Sequence, residues 1–261
     1  MTLNVGIAQT PNSLDVERNF QSIKSLLPRF EEAGVDVVLF PECSLSGFSA
    51  KMKECTADLL KPYLEDIQSW TKKTSIEVVL PTALAKNGSV YNSGWWFKQH
   101  EANQFYKLGL TDSEKKFFSI PDESYSKVFE VKGFRFALLI CYEIEHAPWT
   151  YFQPNEVDAI LWPGYWGWDL ESKWEAEKAP GKVNPIFSNV NCWKVPVLQS
   201  NFAFNDLEGH SGAGPEGLSF IIDAKNRLLE RGAHQRVGGL LVTLEKKDGE
   251  TLIRKCVSLP N

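Results

Sequence analysis

Three residues that can support nucleophilic chemistry each stand at the end of a predicted β-strand. Glu42 closes the apolar stretch VDVVLFPE, Lys107 closes ANQFYK, and Cys141 closes RFALLIC. Ligands gather at the carboxyl ends of strands in sheets covered by helices, so these three side chains are expected to meet. A carboxylate or ammonium beside apolar segments is costly to bury unless it is paired or used. A single cysteine in such a place is most often an inert, small hydrophobic residue, but the three residues together indicate a reactive site.

The elements that would position these residues follow from hydrophobic periodicity. Residues 3–8 alternate as a half-buried strand, Asp15 can cap an amphipathic helix, and residues 35–40 form a continuous apolar strand. A polar turn between two aromatic arms predicts a long hairpin over residues 90–107. Early α and β alternation with later hairpins predicts one α/β domain spanning residues 1–261, with its sheets covered by helices. The other predicted elements are a helix over 56–74 and strands over 76–80, 134–141, 157–161, 195–199, 218–222, 227–231, 239–245 and 252–257.

The composition is that of an ordinary soluble globular protein. Of the 261 residues, 43% are hydrophobic and 23% are charged, and the net charge of −5 gives no sign of affinity for nucleic acid or an anionic membrane. No apolar run is long enough to span a bilayer, and MTLNVGIAQT lacks the features of a secretory signal. The five cysteines are scattered without zinc-site spacing, which predicts reduced thiols and a cytoplasmic protein.

Three segments resemble the motif blocks of the nitrilase superfamily of carbon–nitrogen hydrolases, in its amidase-like branch. VDVVLFPECSLSGF is similar to the first catalytic block, FYKLGLTDSEKKFF to the lysine block, and FALLICYEIEHAPW to the block that holds the nucleophilic cysteine. The resemblance extends from VGIAQT near the start to GLSFIIDAKNRLLERG near the end. It implies an α-β-β-α sandwich that often associates into a homodimer or higher homo-oligomer.

The resemblance also implies roles for individual residues. Cys141 would be the nucleophile, Lys107 the catalytic lysine and Glu42 the general base, while Glu114 would orient the substrate. An amide carbonyl is a poor electrophile, so attack needs a thiolate, which Lys107 would favour electrostatically. The ammonium of Lys107 and the backbone N–H of Tyr142 would stabilise the oxyanion. This mechanism requires no metal and no organic cofactor.

Aromatic residues are abundant after Cys141 and suggest a pocket wall. The segment WPGYWGWDLESKW, which contains Trp166, is expected to supply part of the substrate pocket, although packing in the core or a subunit interface explains any single tryptophan at least as well. Glu143, Glu145 and His146 are expected to add polarity at the pocket rim. The nearby tryptophans are Trp149, Trp162, Trp166, Trp168 and Trp174.

A histidine-based mechanism fits the sequence less well. His146 is only five residues beyond Cys141, and His210 lies in the loop sequence EGHSGAG. Cys43 is expected to point to the opposite face of an extended chain from Glu42 and to be buried filler.

The sequence therefore predicts an enzyme that hydrolyses a small, non-peptide amide or carbamoyl compound to an acid and ammonia. The arginine that many amidase-like members carry after the nucleophile has no counterpart in CYEIEHAPW. A nitrilase would fit the same motifs, although true nitrilases typically have tryptophan where this chain has Tyr142. An acyltransferase that passes the acyl group to an amine would also fit them, as would a non-catalytic scaffold that retains the fold.

Overall fold

Two β-sheets packed face to face form the centre of the molecule. They are seen in a computed structural model that describes residues 1–123, 125–144, 151–166, 194–206 and 217–260. The α-helices of this part are α1 (Val16–Glu32) and α2 (Ala57–Thr74). The strands are β1 (Thr2–Gln9), β2 (Asn12–Ser13), β3 (Val37–Leu39), β4 (Glu77–Lys86), β5 (Ser89–Phe97), β6 (Ala102–Tyr106), β7 (Val128–Val131), β8 (Phe134–Leu138), β9 (Ala159–Pro163), β10 (Val197–Ser200), β11 (Asn205–Asp206), β12 (Phe220–Ile222), β13 (Leu228–Arg231), β14 (Gly238–Lys247) and β15 (Glu250–Ser258).

Each large sheet has a parallel centre and antiparallel edges. The first sheet has the order β15-β14-β1-β3-β4-β5-β6, and the second has the order β13-β12-β10-β9-β8-β7. Strands β1, β3 and β4 pair in parallel, as do β8, β9 and β10. A small parallel pair of β2 and β11 lies apart from both sheets. In each sheet the carboxyl ends of the central strands therefore lie along one edge, where ligands are usually bound.

Alternating side chains of the central strands divide the core into layers. Leu39 of β3 and Leu138 of β8 belong to the apolar cluster between the sheets, whereas the adjacent Val38 packs against the helices and Ala137 faces the other side of the second sheet. These strands are buried on both faces, which explains their nearly continuous apolar sequences. The predicted α/β class with sheets in a sandwich is confirmed.

Helix α1 forms where the sequence predicts it. The side chain of Asp15 accepts a hydrogen bond from the backbone N–H of Glu17 and so caps the helix. Phe20, Ile23 and Phe30 place their side chains on its buried face. No helix in the described part of the chain is both long enough and apolar enough to cross a membrane.

Three differences from the predicted elements concern the strands that lead to the charged residues and to Cys141. Strand β4 continues six residues beyond the predicted end at position 80, because it forms a long antiparallel hairpin with β5. Strand β7 was not predicted, since it is only four residues long and carries an exposed glutamate, Glu130. Strand β8 ends at Leu138, so Cys141 lies in the turn that follows the strand.

Candidate active site

Glu42 lies in the turn after β3 and is completely buried. Its Oε1 accepts two hydrogen bonds, from Lys107 Nζ at 2.8 Å and from Asn92 Nδ2 at 2.7 Å. Its Oε2 is buried and makes no hydrogen bond to the described part of the protein. One oxygen is therefore fixed in position while the other is available to accept a proton.

Lys107 follows β6 and is held between two carboxylates. Its Nζ donates to Glu42 Oε1 at 2.8 Å and to Glu114 Oε1 at 2.5 Å, and its side chain is fully buried. Its backbone N–H donates to the carbonyl of Asn92 at 2.8 Å. Glu114 begins a short 3₁₀ turn, and its Oε2 accepts from the backbone N–H of Thr111 at 2.9 Å. The ammonium group consequently has a fixed position at the centre of a buried cluster.

Cys141 begins a 3₁₀ turn, Cys141–Ile144, with a backbone φ of +48°. A positive φ is uncommon for a residue other than glycine and persists only where neighbouring contacts determine it. The indole Nε1 of Trp162 donates to the carbonyl of Cys141 at 2.8 Å, and the N–H of Ile140 donates to Glu143 Oε2 at 2.7 Å. The side chain of Cys141 remains partly accessible, so the turn presents the thiol at the end of a buried strand.

Burial and charge set the protonation of this cluster. Burial raises the pKa of the Glu42 carboxyl, although the charge of Lys107 opposes the shift. Burial, followed by the charge of Glu42, raises the pKa of the Cys141 thiol, against opposing effects from Lys107 and a hydrogen bond from the backbone of Tyr165. Burial would lower the pKa of Lys107, but the charges of Glu42, Cys141 and Glu114 outweigh it and raise that pKa. The charge of Lys107 thus lowers the pKa of the Cys141 thiol, but burial and the charge of Glu42 together raise it by more.

A second buried ion pair connects the lysine segment to the cysteine turn. Lys127 Nζ lies 2.7 Å from both carboxylate oxygens of Glu143, and both side chains are almost wholly buried. Glu143 also accepts hydrogen bonds from the backbone N–H groups of Leu108 at 2.6 Å and Gly109 at 3.1 Å. The prediction that Glu143 lies at the pocket rim is therefore wrong. Its carboxylate satisfies buried backbone donors and needs the Lys127 cation to be stable there.

Replacing Lys127 with methionine should destabilise the protein strongly. The change leaves Glu143 as an unpaired buried carboxylate, and removing one member of a buried ion pair costs about 3–5 kcal/mol. Denaturant unfolding at neutral pH measures this loss. Lys132→Met is the matched control, because Lys132 pairs with Asp36 while 63% of its side chain is exposed, and an exposed pair contributes at most about 1 kcal/mol. Equal losses in the two variants would contradict a special role for the buried pair.

The other predicted substrate-positioning residues lie around the cysteine turn. Tyr142 directly follows the nucleophile candidate in the 3₁₀ turn and is half-buried. Trp166 packs edge to face against Trp162 with ring centroids 5.4 Å apart, and its backbone N–H and carbonyl are both bound by the side-chain amide of Asn201. Trp166 thus supports Trp162, which in turn holds the Cys141 carbonyl.

Cys43 is buried as predicted, but the geometric reason for the prediction was wrong. Residues 42–46 form a turn, and Cys43 has a φ of +54° in place of an extended conformation. Its Sγ lies 3.7 Å from Asn92 Oδ1, and it packs in an apolar cluster with Met52 and Phe118. Burial, followed by the charge of Glu42, raises the pKa of this thiol well above its usual range. Unlike the partly accessible Cys141, Cys43 is also fully buried in this cluster, so a substrate cannot reach its sulfur.

Within the described ranges, no histidine is placed to serve as the base for Cys141 in a Cys-His mechanism. His100 and His234 are exposed, and His146 and His210 lie outside the described residues, as do Glu145, Trp149, Trp168 and Trp174. The described part of the chain has no group of three or more histidine, cysteine, aspartate and glutamate side chains that could hold a metal ion.

Sequence reasoning missed Asn92 and Lys127. Asn92 binds Glu42 through its side chain and Lys107 through its carbonyl, yet YNS within a strand resembles any polar position on a half-exposed face. Lys127 lies in a polar segment, SYSKVF, whose only signal is a lysine directly before an apolar strand. Both roles depend on tertiary contacts with distant segments.

Comparison with known proteins agrees with the motifs and the fold. Residues 4–174 match the profile of the family described as carbon-nitrogen hydrolase. A comparison with curated protein sequences gave no match. Among solved structures, an amidase from Nesterenkonia sp. is similar at 18% identity with a TM-score of 0.73, covering 94% of this chain and 90% of that one. A double mutant of that amidase in complex with acrylamide matches at 18% identity with a TM-score of 0.75, covering 95% of this chain and 92% of that one.

A larger enzyme contains a similar fold. Glutamine-dependent NAD+ synthetase from Acinetobacter baumannii matches the full length of this chain at 16% identity with a TM-score of 0.76, and this chain spans 49% of its length. At these identities the structural similarity shows the fold alone. The family match covers well over half of the 261 residues and includes all three motif blocks. The chain therefore belongs to the carbon–nitrogen hydrolase family, within the nitrilase superfamily that its motifs predicted.

Proposed function

We propose that this protein hydrolyses a small, non-peptide amide to a carboxylic acid and ammonia through a thioester on Cys141. The observation that supports this most directly is the buried cluster in which Lys107 is fixed between Glu42 and Glu114 while Glu42 Oε2 has no partner in the described part of the chain. A protein that used the fold only as a scaffold would have no need to bury two carboxylates and an ammonium, which are costly to desolvate.

In the first half-reaction, Glu42 Oε2 accepts the proton of the Cys141 thiol as sulfur attacks the amide carbon. The electron pair of the C=O bond moves to oxygen, and the ammonium of Lys107 stabilises the negative charge. The tetrahedral intermediate collapses when Glu42 gives the proton to the amine, and ammonia leaves with the C–N bond electrons. This step needs a base next to a neutral thiol, which agrees with the raised pKa of Cys141.

In the second half-reaction, Glu42 takes a proton from water, and the hydroxide adds to the thioester carbonyl. The C–S bond then breaks, the acid is released, and the sulfur recovers a proton from Glu42. Burial raises the pKa of Glu42, which improves its ability to accept and return a proton at neutral pH. Glu114 holds Lys107 in position and Asn92 holds Glu42 in position throughout both steps.

The cytoplasmic location and the homodimer predicted from the sequence belong to this proposal. The described cysteines, Cys43, Cys55, Cys141 and Cys256, are all free. Free thiols suit a reducing compartment, and a thiol nucleophile needs one to stay reduced.

Replacement of Glu42 by glutamine tests the proposal. Burial and then the charge of Glu42 raise the pKa of Cys141, so the change removes the second of these causes. It also removes the base that activates water. Glu42→Gln should therefore form a thioester from an activated ester substrate but hydrolyse it slowly, so the adduct should accumulate on Cys141. Intact mass spectrometry after mixing measures the adduct, and the double variant Glu42→Gln, Cys141→Ala should show none.

The same experiment separates hydrolysis from the competing functions. Wild-type protein should release acid and ammonia without an added amine, whereas an acyltransferase would retain the adduct until an amine is supplied. A nitrilase would release ammonia from small nitriles but not from the matching amides. If no substrate or electrophile modified Cys141 in any variant, the protein would be a scaffold.

A further inference from the structure

The described part of the molecule contains a cavity of 640 Å³ with aromatic walls. Its walls are mainly apolar and come from four separate segments of the chain. The described lining residues are Phe48, Ser49, Met52, Lys53, Val90, Phe117 and Tyr165.

Tyr165 connects this cavity to the nucleophile. Tyr165 lines the cavity, and its backbone forms a hydrogen bond that lowers the pKa of the Cys141 thiol. Phe117 directly follows the 3₁₀ turn in which Glu114 binds Lys107. Two wall residues are thus connected to the site, Tyr165 through its hydrogen bond to Cys141 and Phe117 through the turn that holds Glu114. These connections put the cavity within reach of a substrate whose carbonyl lies at Cys141.

The two rings at the centre of the wall are held rigidly in place. Phe48 stacks on Tyr165 with centroids 4.7 Å apart and an interplanar angle of 24°. The buried side chain of Asn12 accepts from the backbone N–H of Phe48 at 2.8 Å and donates to Asn205 Oδ1 at 2.8 Å. Asn205 Nδ2 in turn donates to the hydroxyl of Tyr165 at 2.8 Å.

Glycine at position 47 is required by this arrangement. Gly47 has a φ of +71°, and a Cβ there would lie 2.0 Å from the carbonyl oxygen of Ser13. The chain therefore passes closely over the Ser13 segment immediately before Phe48, which fixes the backbone of Phe48 from both sides. Such rigid placement is what a binding wall needs, because little side-chain freedom is then lost when a ligand binds.

We propose that this cavity binds the acyl group of the substrate and selects amides with an aromatic or extended apolar acyl group. This inference rests on the proposed function, in which ammonia is the leaving group and only the acyl side of the substrate can fill an adjoining space. Flat aromatic walls bind flat or extended apolar groups through stacking and burial of apolar surface. The methyl group of acetamide is too small to fill the cavity, so acetamide gains no binding free energy from its walls.

The matched variants Phe117→Ala and Ile120→Ala test this inference. Phe117 is 44% exposed and Ile120 is 49% exposed, so both variants should fold. The two residues are three positions apart, but only Phe117 lines the cavity. For wild type, kcat/KM for benzamide should exceed that for acetamide by about tenfold or more. Phe117→Ala should lower the ratio of kcat/KM for benzamide to kcat/KM for acetamide by about tenfold, whereas Ile120→Ala should leave this ratio unchanged.

A binding measurement separates this inference from the proposed chemistry. In Cys141→Ala protein, titration calorimetry should show benzamide binding more tightly than acetamide, and Phe117→Ala in that background should remove the difference. Equal binding of the two amides, or equal effects of Phe117→Ala and Ile120→Ala, would overturn the acyl-pocket inference even if hydrolysis at Cys141 is demonstrated. Selective benzamide binding without any hydrolysis by wild type would instead support the pocket and contradict the proposed function.

Discussion

Cys141→Ala is expected to abolish amide hydrolysis, with kcat falling by ~10⁶-fold, as for removal of the nucleophile in other acyl-transfer enzymes. Alanine fits the turn with no added volume, so the fold should be retained. Without sulfur no thioester forms, and the remaining groups can only polarise the carbonyl. Ammonia release from a panel of small amides measures the effect, and circular dichroism with thermal unfolding checks the fold.

Two other cysteines provide controls for this prediction. Cys256 is half-buried on β15, which is the edge of the first sheet opposite to β6, the strand that Lys107 follows. Cys256→Ala should therefore have normal turnover. Cys43→Ala removes a weak contact to Asn92, and the loss of one hydrogen bond worth about 1 kcal/mol should lower kcat by about fivefold at most. If Cys43→Ala were inactive and Cys141→Ala active, Cys43 and not Cys141 would be the nucleophile.

Alkylation of Cys141 by iodoacetamide should also show the effect of its environment. An exposed thiol has a pKa of about 8.5, and it reaches its maximal rate of alkylation above that pH. Because burial and Glu42 raise the pKa of Cys141, its rate of modification should continue to rise beyond that range. Peptide mapping over a pH series measures this rate.

The charged residues of the site could be predicted because buried charge next to apolar strands is unusual. Glu42 follows the fully buried apolar strand β3, and Lys107 follows the buried aromatic pair Phe105 and Tyr106 that ends β6, so both charges need a partner. The structure brings these two together with Glu114 in one buried cluster. The catalytic roles of these residues and of Cys141 stay predictions until the variants are measured.

The local geometry around Cys141 could not be predicted in the same way. The apolar run before it suggested a strand that continues to Cys141, but the N–H of Ile140 binds Glu143 and φ at Cys141 becomes positive. Nothing in the order of residues shows that Glu143 turns inward, because its partner Lys127 comes from a different strand connection. Contacts between distant segments decided the conformation there and overrode local preference.

The largest combined effect on activity and stability is expected for Lys107→Met. Methionine preserves much of the side-chain volume but removes the ammonium that would stabilise the oxyanion. Loss of one such donor lowers kcat by about a hundredfold or more. Steady-state kinetics with the best amide substrate measures this, and the decrease should appear in kcat more than in KM, since the charge on oxygen develops only in the transition state.

The same change should reduce stability in a pH-dependent way. Without the ammonium, Glu42 and Glu114 face each other as buried carboxylates, and breaking such a pair costs about 3–5 kcal/mol at neutral pH. Burial already raises the pKa of Glu42, and removal of Lys107, whose charge lowers it, raises it further. A carboxyl with a raised pKa in the folded state is penalised only above its unfolded pKa of about 4.3. The loss in melting temperature should therefore be small at pH 4–5 (about the unfolded pKa) and grow toward pH 8.

Lys24→Met is the matched control for both measurements. Lys24 pairs with Asp66 at 2.8 Å on the surface, with 56% of its side chain exposed, and an exposed pair contributes at most about 1 kcal/mol. Its turnover should be normal and its stability loss small and nearly independent of pH. Near-normal turnover of Lys107→Met would remove the lysine from the mechanism. A large stability loss of equal size at pH 5 and pH 8 would show that packing of the lysine stem, and not its charge, stabilises the cluster.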